Sequence, residues 1–256
     1  MNLESGAIER AEREKIAHDQ GLQRDTYNKV LRNAAGFYTD KRLEIIHDEL
    51  KGKNGGDFLE LGSSSWAQWI DKSEVAPGSL TCINISQREL DKGIKAAKTS
   101  RIAPKFMLMD ANQLDFPDNS FDAVFGGGIL HHIEFERALS EVRRVLKPGG
   151  IMLFEEPLNI NLVGKIVRSL TPRARTDDER PLTHSELDFC AKNFQMRSRY
   201  LQFLSVPVGV ATGLVGMKPR NPVNRLFYHL DEGLLKLAPF IGPQYRHVIL
   251  IGEKTP

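Results

Sequence analysis

The sequence is poor in the residues that mark a metal centre, a disulfide scaffold or a membrane span. Its 256 residues contain two cysteines, Cys82 and Cys190, and their separation fits neither a metal-binding nor a disulfide spacing. Long apolar runs are missing as well. The longest, "FLSVPVGVATGLVGM" over residues 203–217, carries Pro207 and is shorter than the roughly 20 residues a spanning helix needs. The first twenty residues, "MNLESGAIERAEREKIAHDQ", are charged throughout and lack the apolar centre of a signal peptide. Neither sign of charge is in marked excess: 35 Lys and Arg stand against 33 Asp and Glu, a formal +2, so a basic nucleic-acid face is not demanded. These absences lead us to expect a cytoplasmic protein with no integral membrane segment, no metal and no nucleic-acid partner.

The remaining composition is that of an ordinary globular chain, with 41% apolar residues, enough to bury a substantial core. Residues 3–18 and 22–34 read as two polar helices broken at Gly21. The stretch "DKRLEIIHDELKG" places Leu43, Ile46 and Leu50 on one helical face and stops at Gly52. From residue 57 the texture changes. "DFLEL", "SLTCINI", "PKFMLM", "FDAVFGG" and "GGIMLFEE" read as strands, and "SQRELDKGIKAAKTS" and "FERALSEVRRVL" between them as helices. Alternation of apolar strands with helices predicts an α/β fold with a mostly parallel, Rossmann-like sheet covered on both faces. "QMRSRYLQFLSV" (195–206) and "QYRHVILIGEK" (244–254) read as two closing strands. The organisation expected is an N-terminal helical cap over 1–52 and a core over 53–256, with lid insertions at about 157–183 and 206–243.

An open parallel sheet binds ligands beyond the carboxyl ends of its strands, and several polar residues fall there. The first strand ends in Glu60 and Gly62, the second in Asn84, the third in Asp110, the fourth in "GGGILHHI" and the fifth in Glu155 and Glu156. Four segments, "FLELGSSS", "CINISQREL", "MDANQLDFPDNSFDAVFGGGILHHI" and "LKPGGIMLFEEP", together resemble the class I S-adenosylmethionine (SAM)-dependent methyltransferases in order and spacing. The resemblance covers about residues 55–156 and 183–254. The region "EEPLNINLVGKIVRSLTPRARTDDERPLTHSEL" is further similar to a bacterial subgroup resembling the ubiquinone-biosynthesis methyltransferases.

The resemblance implies a seven-stranded sheet with an antiparallel last strand, SAM as cofactor and S-adenosylhomocysteine as product. It also implies a methyl transfer to a small-molecule acceptor, and the apolar segments "FLSVPVGVATGLVGM" and "LFYHLDEGLLKLAPFIG" lead us to expect an apolar natural-product-like or lipid-like metabolite with a hydroxyl, amine or activated carbon. Implied cofactor residues are Glu60, Gly62, Ser63, Ser64, Asn84, Ile85, Asp110, Ala111, Asn112 and Gly127. Two departures stand out. The glycines that usually follow Gly62 are replaced by Ser63, Ser64 and Ser65, with a conformational cost if positive φ is required there. Asn84 stands where the family usually carries an acidic residue for the ribose hydroxyls, and a neutral amide makes the weaker bonds.

His131, His132, Glu155 and Glu156 are the candidate catalytic groups. A histidine suits a base near neutral pH, and the adjacent glutamates must point to opposite faces of the sheet. The basic run "KIVRSLTPRAR" reads as an anion grip or a solvated surface. Two alternatives stay open: a same-fold SAM-binding enzyme with a non-methylating step such as cyclisation, and a non-enzymatic binding protein. A homodimer contact through the N-terminal helices is also left open.

Overall fold

The computed structural model describes residues 31–158 and 181–255. The expected helices over 3–18 and most of 22–34, the insertion at 157–183 and the basic run within it lie outside the described residues, apart from their edges. Helix α1 (Ala35–Lys51) precedes strand β1 (Asp57–Leu61), the short helix α2 (Trp66–Trp69), β2 (Ser79–Asn84), α3 (Gln87–Ala97), β3 (Lys105–Leu108) and β4 (Phe121–Gly127). A 3-10 turn (Leu130–His132), α4 (Phe135–Val145), β5 (Leu146–Pro157), α5 (His184–Asn193), β6 (Gln195–Met196) and β7 (Arg199–Leu201) follow. Helices α6 (Ser205–Leu214) and α7 (Pro222–Leu237) and a second 3-10 turn (Pro239–Gln244) lead to the last strand, β8 (His247–Glu253).

The strand order is β3-β2-β1-β4-β5-β8-β6, with β7 also paired to β8. β1 to β5 are parallel, and β8 runs antiparallel to β5, β6 and β7. The α/β class and the antiparallel last strand match expectation, whereas the sheet has eight strands and not the seven expected, because the edge beside β8 is split into the short strands β6 and β7. The stretch expected as one strand over 195–206 instead forms two short strands and then the start of a helix. Gln202, at φ +69°, turns the chain out of the sheet there.

The period of two along each strand sorts the core into two layers. In β5, Met152 and Phe154 join Leu139, Val142 and Cys190 beneath α4 and α5. Ile151 and Leu153 face the other way, towards Ile46, Leu50, Trp66 and Trp69 of α1 and α2. Continuing that alternation sends Glu155 to the α1 side and Glu156 to the α4 side. α1 starts at Ala35, five residues before the sequence pattern becomes amphipathic; Tyr38 and Arg42 are thereby brought to the end of β5. α3 begins on Ser86, whose hydroxyl accepts from the Glu89 N–H, the preferred N-cap arrangement.

Helices α6 and α7 pack on the start of α1. Gly209 lies so close to Ala34 that a Cβ would come within 2.5 Å of its Cα. The Asp231 carboxylate of α7 accepts from the N–H groups of Phe203, Leu204 and Ser205 and so satisfies the first turn of α6. Most exposed large apolar side chains also belong to this insertion, including Leu214, Leu226, Leu230, Leu237 and Phe240.

Candidate active site

The chain leaves β1 for β2 and β3 on one side, then crosses back to β4 and β5 on the other. The crevice at that reversal, above β1 and β4, is the natural ligand position in such a sheet. Its first wall is the loop after β1. Glu60 is buried, and its carboxylate accepts from the N–H groups of Ser64 (3.1 Å), Ser65 (2.7 Å) and Trp66 (3.4 Å) and from the Cys82 thiol (3.3 Å). Burial raises the Glu60 pKa, and those hydrogen bonds work against the rise.

Gly62 sits at φ +114°, a conformation that disfavours any side chain, and its N–H donates to the Ile83 carbonyl at 2.8 Å. The three serines need no such conformation. Among the described residues, only Asn119 and Gln202 are non-glycines with positive φ. The serine-for-glycine replacements therefore carry no backbone strain. Ser63 is buried and accepts from the Asn84 amide at 3.2 Å, whereas Ser64 is exposed. Trp66 and Trp69 pack under the sheet, against Phe106 of β3 and Phe125 of β4 respectively. The Trp69 ring also touches the Gly127 position, where a Cβ would lie 3.1 Å from it.

Asn84 is held at both ends of its amide: it donates to Ser63 Oγ and accepts from the Ser86 N–H at 2.9 Å. Ile85 follows it in the same turn. At the end of β3, one Asp110 oxygen accepts from both the backbone N–H (2.8 Å) and the side-chain amide (2.9 Å) of Asn112. The other oxygen makes no hydrogen bond among the described residues. Ala111 and Asn112 are buried, and Asn112 fastens this turn to the start of α4 by accepting from the Glu134 N–H.

The two candidate glutamates divide their roles. Glu156 is wholly buried. One oxygen accepts from the N–H groups of Ile129 (2.9 Å) and Leu130 (2.8 Å), and the other meets His131 Nδ1 at 2.6 Å. Burial lifts its pKa to about 7, against the pull of the Leu130 and Ile129 N–H groups and of His132. The His132 ring lies tilted against that of His131, with centroids 4.1 Å apart.

Glu155 accepts from the Tyr38 hydroxyl and from Arg42 (2.8 Å), and His247 Nδ1 lies 3.6 Å away. Burial raises the Tyr38 pKa well above its ordinary value, and the Glu155 charge adds to the rise. His247 is pushed well below the usual histidine range, first by burial and then by Arg246 and Arg42. Arg42 Nε and His247 Nδ1 are buried without a hydrogen-bond partner among the described residues, so polar capacity remains beside Glu155. Tyr38, Arg42 and His247 escaped sequence reasoning because they lie 117, 113 and 92 positions from their partner. No local pattern links them to it.

Residues 59–154 match the family model described as a methyltransferase domain. Together with the sheet order and the crevice just described, this match places a methyltransferase domain of the SAM-dependent family within the chain. The cofactor of the family is SAM.

Among proteins of known role, demethylmenaquinone methyltransferase of Staphylococcus aureus (strain JH9) is 37% identical over 128 residues, covering 48% of this chain and 52% of the relative. The same enzyme from strain MRSA252 is 37% identical over 93 residues, 36% and 38% of the two chains. The chain thus matches about half or less of the length of these relatives. Similar solved structures share the fold. A SAM-dependent methyltransferase of Thermotoga maritima, a possible histamine N-methyltransferase, has TM-score 0.58 and 17% identity over 90% of this chain and 94% of its own. NodS, an N-methyltransferase of Bradyrhizobium japonicum WM9 solved with S-adenosylhomocysteine, has TM-score 0.56 and 12% identity over 91% and 100%. The cyclase SpnF has TM-score 0.55 and 22% identity over 84% and 80%.

The donor set fits SAM. A positive-φ glycine, a loop gathered by one buried carboxylate and an Asp110 oxygen that makes no hydrogen bond among the described residues are compatible with the close approach and the acceptor that an adenosyl group would need. Among the described residues no His, Cys, Asp and Glu cluster could hold a metal ion, and no helix is long and apolar enough to cross a membrane.

Proposed function

We propose that this protein transfers a methyl group from SAM to an apolar small-molecule acceptor. Support comes first from the crevice at the sheet reversal, where Glu60 gathers the loop N–H groups behind Gly62 at φ +114°. The names of its relatives and the apolar insertion over 205–240 support an acceptor with a greasy body.

In this reading the loop of Gly62, Ser63 and Ser64 holds the amino-acid end of the cofactor. Asn84 and Ile85 face the ribose, and Asp110, Ala111 and Asn112 the adenine, with Gly127 below. When bound, the cofactor supplies an electrophilic methyl group on a sulfonium. The chain's contribution is position and proton control, and orientation alone is worth several kcal/mol of a barrier.

His131 is the base. With Glu156 ionised, its carboxylate accepts from Nδ1–H, which sets the tautomer in which Nε2 is the basic nitrogen, suited to take a proton from an acceptor hydroxyl or activated carbon. Glu156 also fixes the loop carrying His131 through the Ile129 and Leu130 N–H groups. His132 packs against that ring at a tilt, and Glu155, held by Tyr38 and Arg42, orients the acceptor.

The test is calorimetric titration with SAM and S-adenosylhomocysteine, on the wild type and on Asp110→Ala. Binding should weaken about tenfold or more in the variant, as expected for losing a hydrogen bond to a charged acceptor at about 1.5–3 kcal/mol. No binding by a folded wild type would refute the reading in favour of a partner protein. An acceptor screen read by mass separates methylation, which adds a methyl group, from a cyclisation that leaves the mass unchanged.

A further inference from the structure

A second cavity, of about 280 Å³, lies between α1, β7, the start of α6, α7 and Tyr245. None of the cofactor or catalytic residues named above lines it; the nearest link is Tyr38, whose ring is part of the wall while its hydroxyl donates to Glu155. The interior is largely aromatic and aliphatic, with Phe37, Tyr38, Ile45, Tyr200, Tyr228 and Leu235 among its walls.

The walls are braced. Gln202 holds φ +69°, donates to the Ala34 carbonyl and accepts from Arg246. A non-glycine residue in that region is kept only where the surroundings over-determine it, and such residues collect at ligand clamps. The Asn33 amide donates to the Met217 carbonyl at 2.8 Å, and Thr212 donates to Asn224 at 2.9 Å. Tyr200 is pinned by Gly242, where a Cβ would come within 2.4 Å of its ring. Apolar space kept open by a hydrogen-bonded frame is the form of a small-molecule site.

The charges at the cavity select a sign. Asp231 is spent on the first turn of α6, and Glu232 accepts from Tyr228 and lies 3.2 Å from His229. Lys41 pairs with Glu44, but Arg199 and Lys236 make no ion pair among the described residues. We propose that this cavity is a second small-molecule site, for an apolar, ring-bearing body that carries an acidic group towards Arg199 and Lys236. The proposal is independent of cofactor binding, since it uses no residue of the cofactor crevice.

Two probes with the same ring system test it: 1-anilinonaphthalene-8-sulfonate, an anion, and N-phenyl-1-naphthylamine, its neutral counterpart. Calorimetry on the full chain should show one site that prefers the anion and is indifferent to saturating S-adenosylhomocysteine. Leu235→Trp should fill the cavity and weaken both probes about tenfold or more, with Ile45→Phe as a second filler if the first does not fold. Arg199→Glu with Lys236→Glu should abolish the preference for the anion while leaving the neutral probe bound. Binding that survives both fillers and disappears in Leu226→Ser with Leu230→Ser would place the probes on the exposed apolar stripe and overturn the proposal. Displacement by S-adenosylhomocysteine would overturn it as well. Asp110→Ala serves as the control: loss of cofactor binding there with probe binding intact separates the two sites.

Discussion

Glu156→Gln separates the charge of the buried carboxylate from its shape. The amide keeps an oxygen for the Ile129 and Leu130 N–H groups, so the loop of His131 should hold its course. What changes is the proton. A carboxyl whose pKa rises from 4.5 to about 7 on folding is held more tightly by the folded chain. Its contribution therefore lowers stability as pH rises from about 4.5 through 7, and it stays lowered above that. The full shift corresponds to about 3 kcal/mol, a penalty that glutamine does not carry. The stability gap between variant and wild type should grow by about 2–3 kcal/mol from pH 5 to pH 8.5. For a chain of this length that is a melting difference of about 5–10 °C. Paired thermal and urea melts at both pH values measure it. Activity should move the opposite way: the Gln amide donates to Nδ1, the ring proton shifts to Nε2, and His131 no longer accepts a proton there. A gap that stays flat across pH would refute the raised pKa. A stabilised variant with unchanged methyl transfer to a hydroxyl acceptor would refute the role of His131.

Gly62→Ala forces a Cβ at φ +114° and should lower stability by about 1–2 kcal/mol while weakening S-adenosylhomocysteine binding in calorimetry. Tyr38→Phe removes the donor to Glu155 while keeping the ring; a loss of about 1–3 kcal/mol in a denaturant melt is expected for the acceptor it strands. Asn84→Asp restores a carboxylate at the end of β2, where it can still accept from Ser86 N–H and from the Ser63 hydroxyl. Cofactor binding should tighten roughly threefold to tenfold, the difference between neutral and charge-assisted hydrogen bonds. Weaker binding would mean that the Asn84 amide donates to the ligand.

The parallel sheet was legible in the sequence because its strands are short apolar runs and the crossover helices α3 and α4 are amphipathic. "DFLEL" and "FDAVFGG" coincide with β1 and β4 residue for residue. The C-terminal third was less legible. "FLSVPVGVATGLVGM" is apolar and rich in β-branched residues, yet it contains the whole of α6. There the tertiary frame overrides propensity: Asp231 satisfies the first turn of α6, and Gly209 seats the helix on Ala34. Candidate site residues that close a strand could be read one at a time. Their partners could not, since Tyr38, Arg42 and His247 reach Glu155 only through the packing of α1 and β8 against β5.

The serine loop shows why a motif can lose its glycines and keep its shape. Of the positions after β1, only Gly62 requires positive φ. The following turn is shaped by Glu60, which collects three successive N–H groups on one carboxylate. A loop held in that way depends on its backbone donors and tolerates small side chains at Ser63, Ser64 and Ser65. What it does not tolerate is loss of the collector. Glu60→Ala would leave those N–H groups without their acceptor beneath a buried Trp66, so the integrity of the crevice rests more on Glu60 than on the serines that replace the expected glycines.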